Sequence, residues 1–387
     1  MTVTSPLGFR AAGVAAGIKE SGSPDVAVVI NDGPSAAAAG VFTANRVKAA
    51  PVLWSQQVLA GGAVRAVVLN SGGANACTGP AGFQDTHRTA EHLGGLLGIG
   101  AGQVAICSTG LIGERLPLDK LLAGVTAGVT AATDQARLAG GKAAAEAIRT
   151  TDTVPKVAAV TGPGYQIGGM AKGAAMLAPG LATMLAVLTT DADLPSPVLD
   201  DALREAVRTT FDRLDTDGCM STNDTVLLLA SGAAGVTPDA TEFTTLLTAA
   251  CADLAGQMQA DAEGASKTIT IEVTGAATED DAVEAGRAIA RSSLLKCAIG
   301  GEDPNWGRVL AAIGTTAAAF EPDQLSVAIN GVWVCKGGAP GEDRSAVDLR
   351  PREVSIIADL AAGPHSASIL TTDLTAEYVH LNADYVT

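Results

Sequence analysis

The sequence predicts a mixed α/β or α+β fold. Short aliphatic or β-branched runs recur at Asp25–Asn31, Val64–Asn70, Gln103–Ser108, Lys156–Val160, Met184–Thr189, Thr225–Ala230, Thr268–Val273 and Leu325–Asn330. Most are bounded by Gly, Asn, Asp or Ser, as strands usually are. Stretches with apolar residues at helical spacing lie between them: Asp85–Leu97, Pro117–Thr133, Asp134–Arg149, Pro197–Thr210, Glu242–Ala262 and Glu279–Ser292. Pro117 and Pro197 suit first-turn positions. Finally, the chain is 47% hydrophobic and only 17% charged, which supports a large packed interior and excludes disorder.

Many of the strand runs lack polar–apolar alternation, so they are expected to be covered on both faces, as in a layered sandwich. A length of 387 residues exceeds what one core usually supports, and two lobes are the default expectation. The stretch Thr161–Gly169, glycine-rich around Pro163, reads as a surface loop. No repeat or low-complexity linker marks a boundary.

The formal net charge of −16 disfavours nucleic-acid binding, because phosphate backbones are repelled. It leaves small anionic substrates open, since these need only a local cation. The cysteines at 77, 107, 219, 251, 297 and 335 form no C-x-x-C pair, and His87, His92, His365 and His380 show no metal spacing. The expectation is buried thiols in a reducing cytoplasm and no metal site. The start of the chain lacks a signal-peptide pattern, and its apolar stretches fall short of a membrane span.

The most informative window runs from Gly168 to Ala192. It reads as a glycine-punctuated loop, then Pro179-Gly180, then a strand beginning near Thr183. Lys172 stands alone among apolar residues, so it must snorkel to solvent, pair with a carboxylate, or do chemistry. Pattern alone favours the first two, and a threonine at a strand start is ordinarily a β-former.

The run from Lys172 to Leu185 resembles the hallmark of the ornithine acetyltransferase family, also called glutamate N-acetyltransferases: Lys-Gly, two small residues, Met, an aliphatic, Ala-Pro, two residues, then Ala-Thr-Met-Leu. Ala174, Ala175 and Gly180 depart from the residues common there. Further runs resemble that family in order along the chain: Val41–Arg46, Asn70–Gly79, Cys107–Gly113, Thr150–Thr153, Asp215–Asp224, Asp261–Lys267 (Ser266 replacing Thr), Gly301–Arg308 and Tyr378–Thr387. Several have structural readings of their own. Cys107–Gly113 suits a helix N-cap region, Thr150–Thr153 a helix-ending turn, and Glu263-Gly264 a solvated helix end with a glycine cap. Gly301–Arg308 reads as a structural turn. Asp215–Asp224 looks superficially like a calcium loop but lacks the spacing and closing Glu.

The resemblance implies self-cleavage between Ala182 and Thr183, giving an alpha fragment of 1–182 and a beta fragment of 183–387. Thr183 then becomes the nucleophile, because a new α-amine, titrating near ~8, supplies the base that its hydroxyl needs. Thr109 and Gly110 are implied as oxyanion-hole donors. Thr150 or Thr151, Lys172, Glu263, Asn382 and the terminal Thr387 are implied substrate contacts. Lys172 would suit an α-carboxylate and Glu263 an ammonium.

The implied reaction moves the acetyl group of N2-acetyl-L-ornithine to L-glutamate; some family members also accept acetyl-CoA. The resemblance also implies that no organic cofactor is needed. The implied fold is two β-sheets sandwiched between helical layers, with interwoven fragments assembled as a heterotetramer of two alpha and two beta copies. The rival readings are an N-terminal-nucleophile amidohydrolase or aminopeptidase, a non-catalytic descendant, and a dinucleotide enzyme. The last is weak, for want of a G-x-G-x-x-G run placed after a strand.

Overall fold

A computed structural model describes residues 1–134, 136–178 and 184–383. In chain order its elements are β1 (Phe9–Val14), β2 (Val26–Asn31), β3 (Ala38–Phe42), α1 (Ala50–Leu59), β4 (Ala66–Gly73), α2 (Gly79–Leu97), β5 (Val104–Leu111), α3 (Leu118–Asp134), α4 (Arg137–Ala147), β6 (Lys156–Gly162), β7 (Tyr165–Lys172), β8 (Leu185–Thr190), α5 (Ser196–Thr209), β9 (Thr225–Ala230) and α6 (Ala240–Ala260). There follow β10 (Thr268–Ala276), α7 (Glu279–Ala290), α8 (Ser293–Gly300), α9 (Trp306–Ile313), β11 (Ser326–Ile329), β12 (Val332–Lys336), β13 (Ala339–Pro340), β14 (Glu353–Asp359), β15 (His365–Thr372) and α10 (Ala376–Ala383).

The strands form three sheets, ordered β1-β2-β4-β5, β3-β9-β8-β7-β6 and β13-β12-β11-β14-β10-β15. The first two face each other. Met170 of β7, Leu185 and Val187 of β8, and Leu227 and Leu229 of β9 share one core with Val26–Ile30 and Ala66–Leu69 of the first sheet. The alternate residues Ala186, Leu188, Val226 and Leu228 point the other way, into a core with Leu199 and Leu203 of α5 and Phe243, Leu247 and Leu254 of α6. On the outer face of the first sheet α3 and α4 pack on β1 and β2, and α1 and α2 on β5. The layers therefore run helix, sheet, sheet, helix.

This explains the missing alternation: β2, β8 and β9 are buried at every position because both faces are covered. The third sheet is a separate unit whose core is built by Ile271, Ile289, Ile299, Val309, Ile313 and Ile356 with α7, α8 and α9.

Two parallel pairs, β4–β5 and β8–β9, are each joined through helices. In the second sheet β3, β6 and β7 precede residue 182, whereas β8 and β9 follow it. Leu185 pairs with Lys172 and Thr190 with Ile167.

One expectation is overturned. Thr161–Gly169 is no surface loop; it forms most of the β6–β7 hairpin, in which Gly162 pairs with Tyr165 across Pro163-Gly164. The turn chemistry was legible, and Gly164 has φ +82°. The flanking glycines mislead because packing demands them. A Cβ at Gly168 would lie 2.3 Å from the Thr2 carbonyl oxygen, so the N-terminal segment can lie against β7 only over a bare backbone. Among the described residues no helix is long and apolar enough to cross a membrane.

Gly168→Val should push the Thr2 backbone off β7. The expected loss is about 1–3 kcal/mol of stability in chemical denaturation. A denaturation midpoint equal to wild type would contradict the packing just described.

Candidate active site

The ends of the two facing sheets bring the implied site residues together. Lys172 is the last residue of β7, and Thr109 lies on β5 of the opposite sheet. The Lys172 ammonium is buried and donates to the Thr109 hydroxyl across 3.3 Å. Burial lowers its pKa from the usual lysine range; Asp152, Asp224 and Glu263 act in the opposite direction, favouring the charged form. A lone lysine in an apolar stretch is thus neither snorkelling nor in a simple pair. It is a buried cation surrounded by carboxyl groups.

Gly110 follows Thr109 with φ +131°, and a Cβ there would sit 2.4 Å from the Gly73 nitrogen. Only glycine suits this close approach of β5 to β4. The helix N-cap reading of Cys107–Gly113 does not hold, because Val104–Leu111 is strand and the next helix begins at Leu118. Burial pushes the neighbouring Cys107 thiol up to about 12, which disfavours the thiolate.

Thr150 to Thr153 form the turn after α4, as the helix-end reading expected. Its organiser is Asp152, which accepts from the Gly173 N–H at 2.7 Å, the Lys156 ammonium at 2.7 Å and the Thr150 N–H at 3.1 Å. Burial alone would raise this carboxyl, but the Lys172 and Lys156 ammonium groups and the Gly173 hydrogen bond bring it down to about 2. Lys156 also reaches Asp261 at 2.6 Å, tying the turn to the end of α6.

Just beyond, the Glu263 N–H donates to the Ala174 carbonyl at 2.9 Å, and its carboxylate accepts from the Asn382 side chain at 2.9 Å. Asn382 belongs to α10, so the C-terminal segment packs as a helix on the Glu263-Gly264 turn. Gly264 has φ +63°, and a Cβ there would meet the Tyr378 nitrogen at 2.3 Å. Thr151 and Glu263 line one open groove of about 580 Å³. Ala182, Thr183 and Thr387 lie outside the described residues.

The loop before β9 carries residues to which the sequence reading assigned no role. The Asn223 amide donates to the Ala74 carbonyl at 2.6 Å and to the Ser108 carbonyl at 2.8 Å, locking the loop onto the first sheet. Asp224 accepts from the Met184 N–H at 3.1 Å. Asp217 accepts from the Met176 N–H at 2.6 Å, and Asp215 pairs with Arg291 at 2.7 Å. These acids hold backbone and side chains, and no group of acidic, Cys or His residues among the described residues could hold a metal ion. The signal that could have found them is a polar Asn223-Asp224 pair immediately before a buried strand that is apolar from Val226 to Ala230. The cysteines correct one expectation: Cys107, Cys251 and Cys335 are buried, but Cys77, Cys219 and Cys297 are exposed.

A match to the ArgJ family covers residues 10–387. The chain belongs to the ArgJ family. It is 68% identical over 385 residues to the arginine biosynthesis bifunctional protein ArgJ of Streptomyces avermitilis, with 100% of both chains covered. It is 67% identical over 387 residues to the ArgJ of Thermobifida fusca, again with 100% of both covered. Among solved structures, the ornithine acetyltransferase of Mycobacterium tuberculosis complexed with ornithine is 61% identical, covering 48% of this chain and 96% of that one at a TM-score of 0.45.

The depressed Asp152 carboxyl makes stability pH-dependent in this ArgJ-family chain. Its folded pKa lies below the ordinary 3.8, so its contribution is full above about pH 4 and is lost as pH falls toward 2. That contribution is about 2 kcal/mol. The difference in unfolding free energy between wild type and Asp152→Asn should therefore shrink from pH 5 to pH 2; a difference constant over that range would contradict the assignment.

Proposed function

We propose that this chain transfers the acetyl group of N2-acetyl-L-ornithine to L-glutamate through an acetyl ester on Thr183, formed after the chain severs its own Ala182–Thr183 bond. The observation that carries the reading is the buried Lys172 ammonium beside Thr109, at the strand end from which the chain runs on to Thr183. A buried cation next to hydroxyl and backbone donors suits a carboxylate-bearing amide substrate.

In this scheme the Thr183 hydroxyl attacks the acetyl carbonyl, and its proton passes to the Thr183 α-amine. The developing oxyanion is held by the Thr109 hydroxyl and the Gly110 N–H, each such donor being worth roughly 3–4 kcal/mol. Ornithine leaves with the proton returned by the amine. The glutamate amine then attacks the ester and releases N-acetylglutamate, a two-stage exchange. Lys172 pairs with the substrate α-carboxylate, and Glu263 with the ornithine side-chain ammonium. Asn382, which shares a hydrogen bond with Glu263, completes that end of the site together with Thr387. Thr150 and Thr151 close the remaining side.

Fragments of 1–182 and 183–387 would stay joined, since β7 pairs with β8 and β3 with β9 across the break. The reading includes a heterotetramer of two copies of each fragment, cytoplasmic, with acetyl-CoA as a further acetyl donor.

Mass spectrometry of the purified protein, with and without N-acetylornithine, tests the reading. Two fragments divided at Ala182–Thr183 are expected, the second gaining one acetyl group on exposure to substrate. Thr183→Ala should remain a single unacetylated chain with no transfer. Acetate release without any need for glutamate would favour the hydrolase reading instead.

A further inference from the structure

Lys19 is a second cation beside the site, and the acetyl-transfer scheme gives it no part. It lies on the loop between β1 and β2, and that loop is built rigidly. The buried Asp25 carboxylate accepts from the N–H groups of Ala16 at 2.6 Å, Ile18 at 2.6 Å and Lys19 at 3.0 Å. One carboxylate thus satisfies three backbone donors that no sheet or helix serves. The loop lies against the end of β4. A Cβ on Gly72 would come within 3.2 Å of the Lys19 Cγ and 3.1 Å of the Ile18 Cγ2. Gly72 in turn pairs with Gly110, whose own Cβ would meet the Gly72 carbonyl carbon at 2.5 Å. The Lys19 stem therefore covers the strand residue beside Gly110, and two glycines allow so close a stack.

The ammonium reaches the turn after α4. It donates to the Arg149 carbonyl at 2.7 Å and to the Pro24 carbonyl at 3.0 Å. Arg149 immediately precedes Thr150. Burial lowers the Lys19 pKa; Asp25 and Glu146 oppose that, and the neighbouring Arg149 and Lys172 cations add to it. Acids outnumber basic residues 41 to 25 in this chain, so an unbridged lysine is informative. Among the described residues the lysine ion pairs belong to Lys156, Lys267 and Lys336, and neither Lys19 nor Lys172 has one. Asp152, Asp224 and Glu263 act on Lys172 from beyond that contact. An ammonium has three N–H donors. One on Lys19 and two on Lys172 find no acceptor among the described residues. Two neighbouring cations with unspent donors favour an anion between them. A carboxylate fits, because each of its two oxygens can accept from a different ammonium.

Resting on the acetyl-transfer reading, we infer that Lys19 is a second binding residue for the substrate α-carboxylate, taking one oxygen while Lys172 takes the other. The two lysines form a clamp that turns the adjoining acetamide toward the Thr109 hydroxyl and the Gly110 N–H. A single ammonium is a point charge and leaves a carboxylate free to swivel, whereas two contacts from different parts of the fold fix its plane. Lys19 makes and breaks no bond; its contribution is orientation and charge.

Two variants test this. Lys19→Met removes the ammonium, and Lys19→Gln removes the charge but keeps N–H donors for the Arg149 and Pro24 carbonyls. Each is compared with wild type in the first half of the reaction, as the second-order rate of acetyl-enzyme formation without glutamate, followed by mass spectrometry. Two acetyl donors are used: N-acetyl-L-ornithine and its α-carboxamide, which lacks the carboxylate. With N-acetyl-L-ornithine both variants should be slower by about 10-fold or more, the loss of one charge-assisted hydrogen bond. With the carboxamide they should match wild type within about 2-fold. Equal losses with both donors would make Lys19 a strut for its loop and overturn the inference, as would no loss with either. A wild-type enzyme that N-acetyl-L-ornithine never acetylates would refute the transfer reading, and this inference with it. Should neither variant fold, a crystal structure of wild type with L-ornithine decides. A carboxylate oxygen in hydrogen-bond contact with the Lys19 ammonium upholds the clamp, and a carboxylate bound beyond its reach overturns it.

Discussion

The structure turns on one buried ammonium group. Taking a lysine out of water is expensive unless carboxylates and hydrogen-bond acceptors surround it. Lys172 meets that requirement through Asp152, Asp224, Glu263 and the Thr109 hydroxyl, contributed by separate parts of the chain. Each of these groups is itself tied down. Asp152 is held by Lys156, Gly173 and Thr150, Glu263 by Asn382, and Asp224 by Met184. The turn after α4, the residues just past α6 and the entry to β9 thereby all converge on one buried charge.

The sandwich makes this convergence possible. The first sheet delivers the ends of its parallel pair, Gly73 and Leu111, to the same edge where the second sheet delivers the first residues of its own pair, Leu185 and Thr225. Lys172 ends β7 opposite Leu185, so the segment bearing Ala182 and Thr183 leaves and re-enters the second sheet at one place. Apolar strands buried on both faces give this edge a rigid frame, while the polar groups gather where the strands stop.

Much of this was legible in the sequence, for identifiable reasons. Runs such as Thr225–Ala230 and Val26–Asn31 are so uniformly apolar that only a doubly covered strand suits them, and α5, α6 and α7 carry clear helical periodicity. The β6–β7 hairpin was misread because its glycines, required where Thr2 crosses β7, look the same in sequence as glycines of a loop. The third sheet was only partly visible, since short strands such as β12 and β13 form by pairing with neighbours distant from any local signal. At the site, motif resemblance singled out Thr109, Gly110, Lys172, Glu263 and Asn382, and the fold brings Lys172 to Thr109 and Glu263 to Asn382. Asp152 and Asp224 sit inside the resembling runs Thr150–Thr153 and Asp215–Asp224, but the sequence assigns them no role, because their importance lies in what they touch across the fold and not in sequence spacing.

Substrate dependence of Lys172→Met tests the central claim most directly, because methionine keeps most of the unbranched apolar stem and removes the ammonium with its charge and hydrogen-bond donors. Losing a charge-assisted bond worth about 1.5–3 kcal/mol should raise KM for both N-acetylornithine and glutamate by roughly 10-fold or more. Wild-type KM values for both substrates in a folded Lys172→Met enzyme would contradict the account.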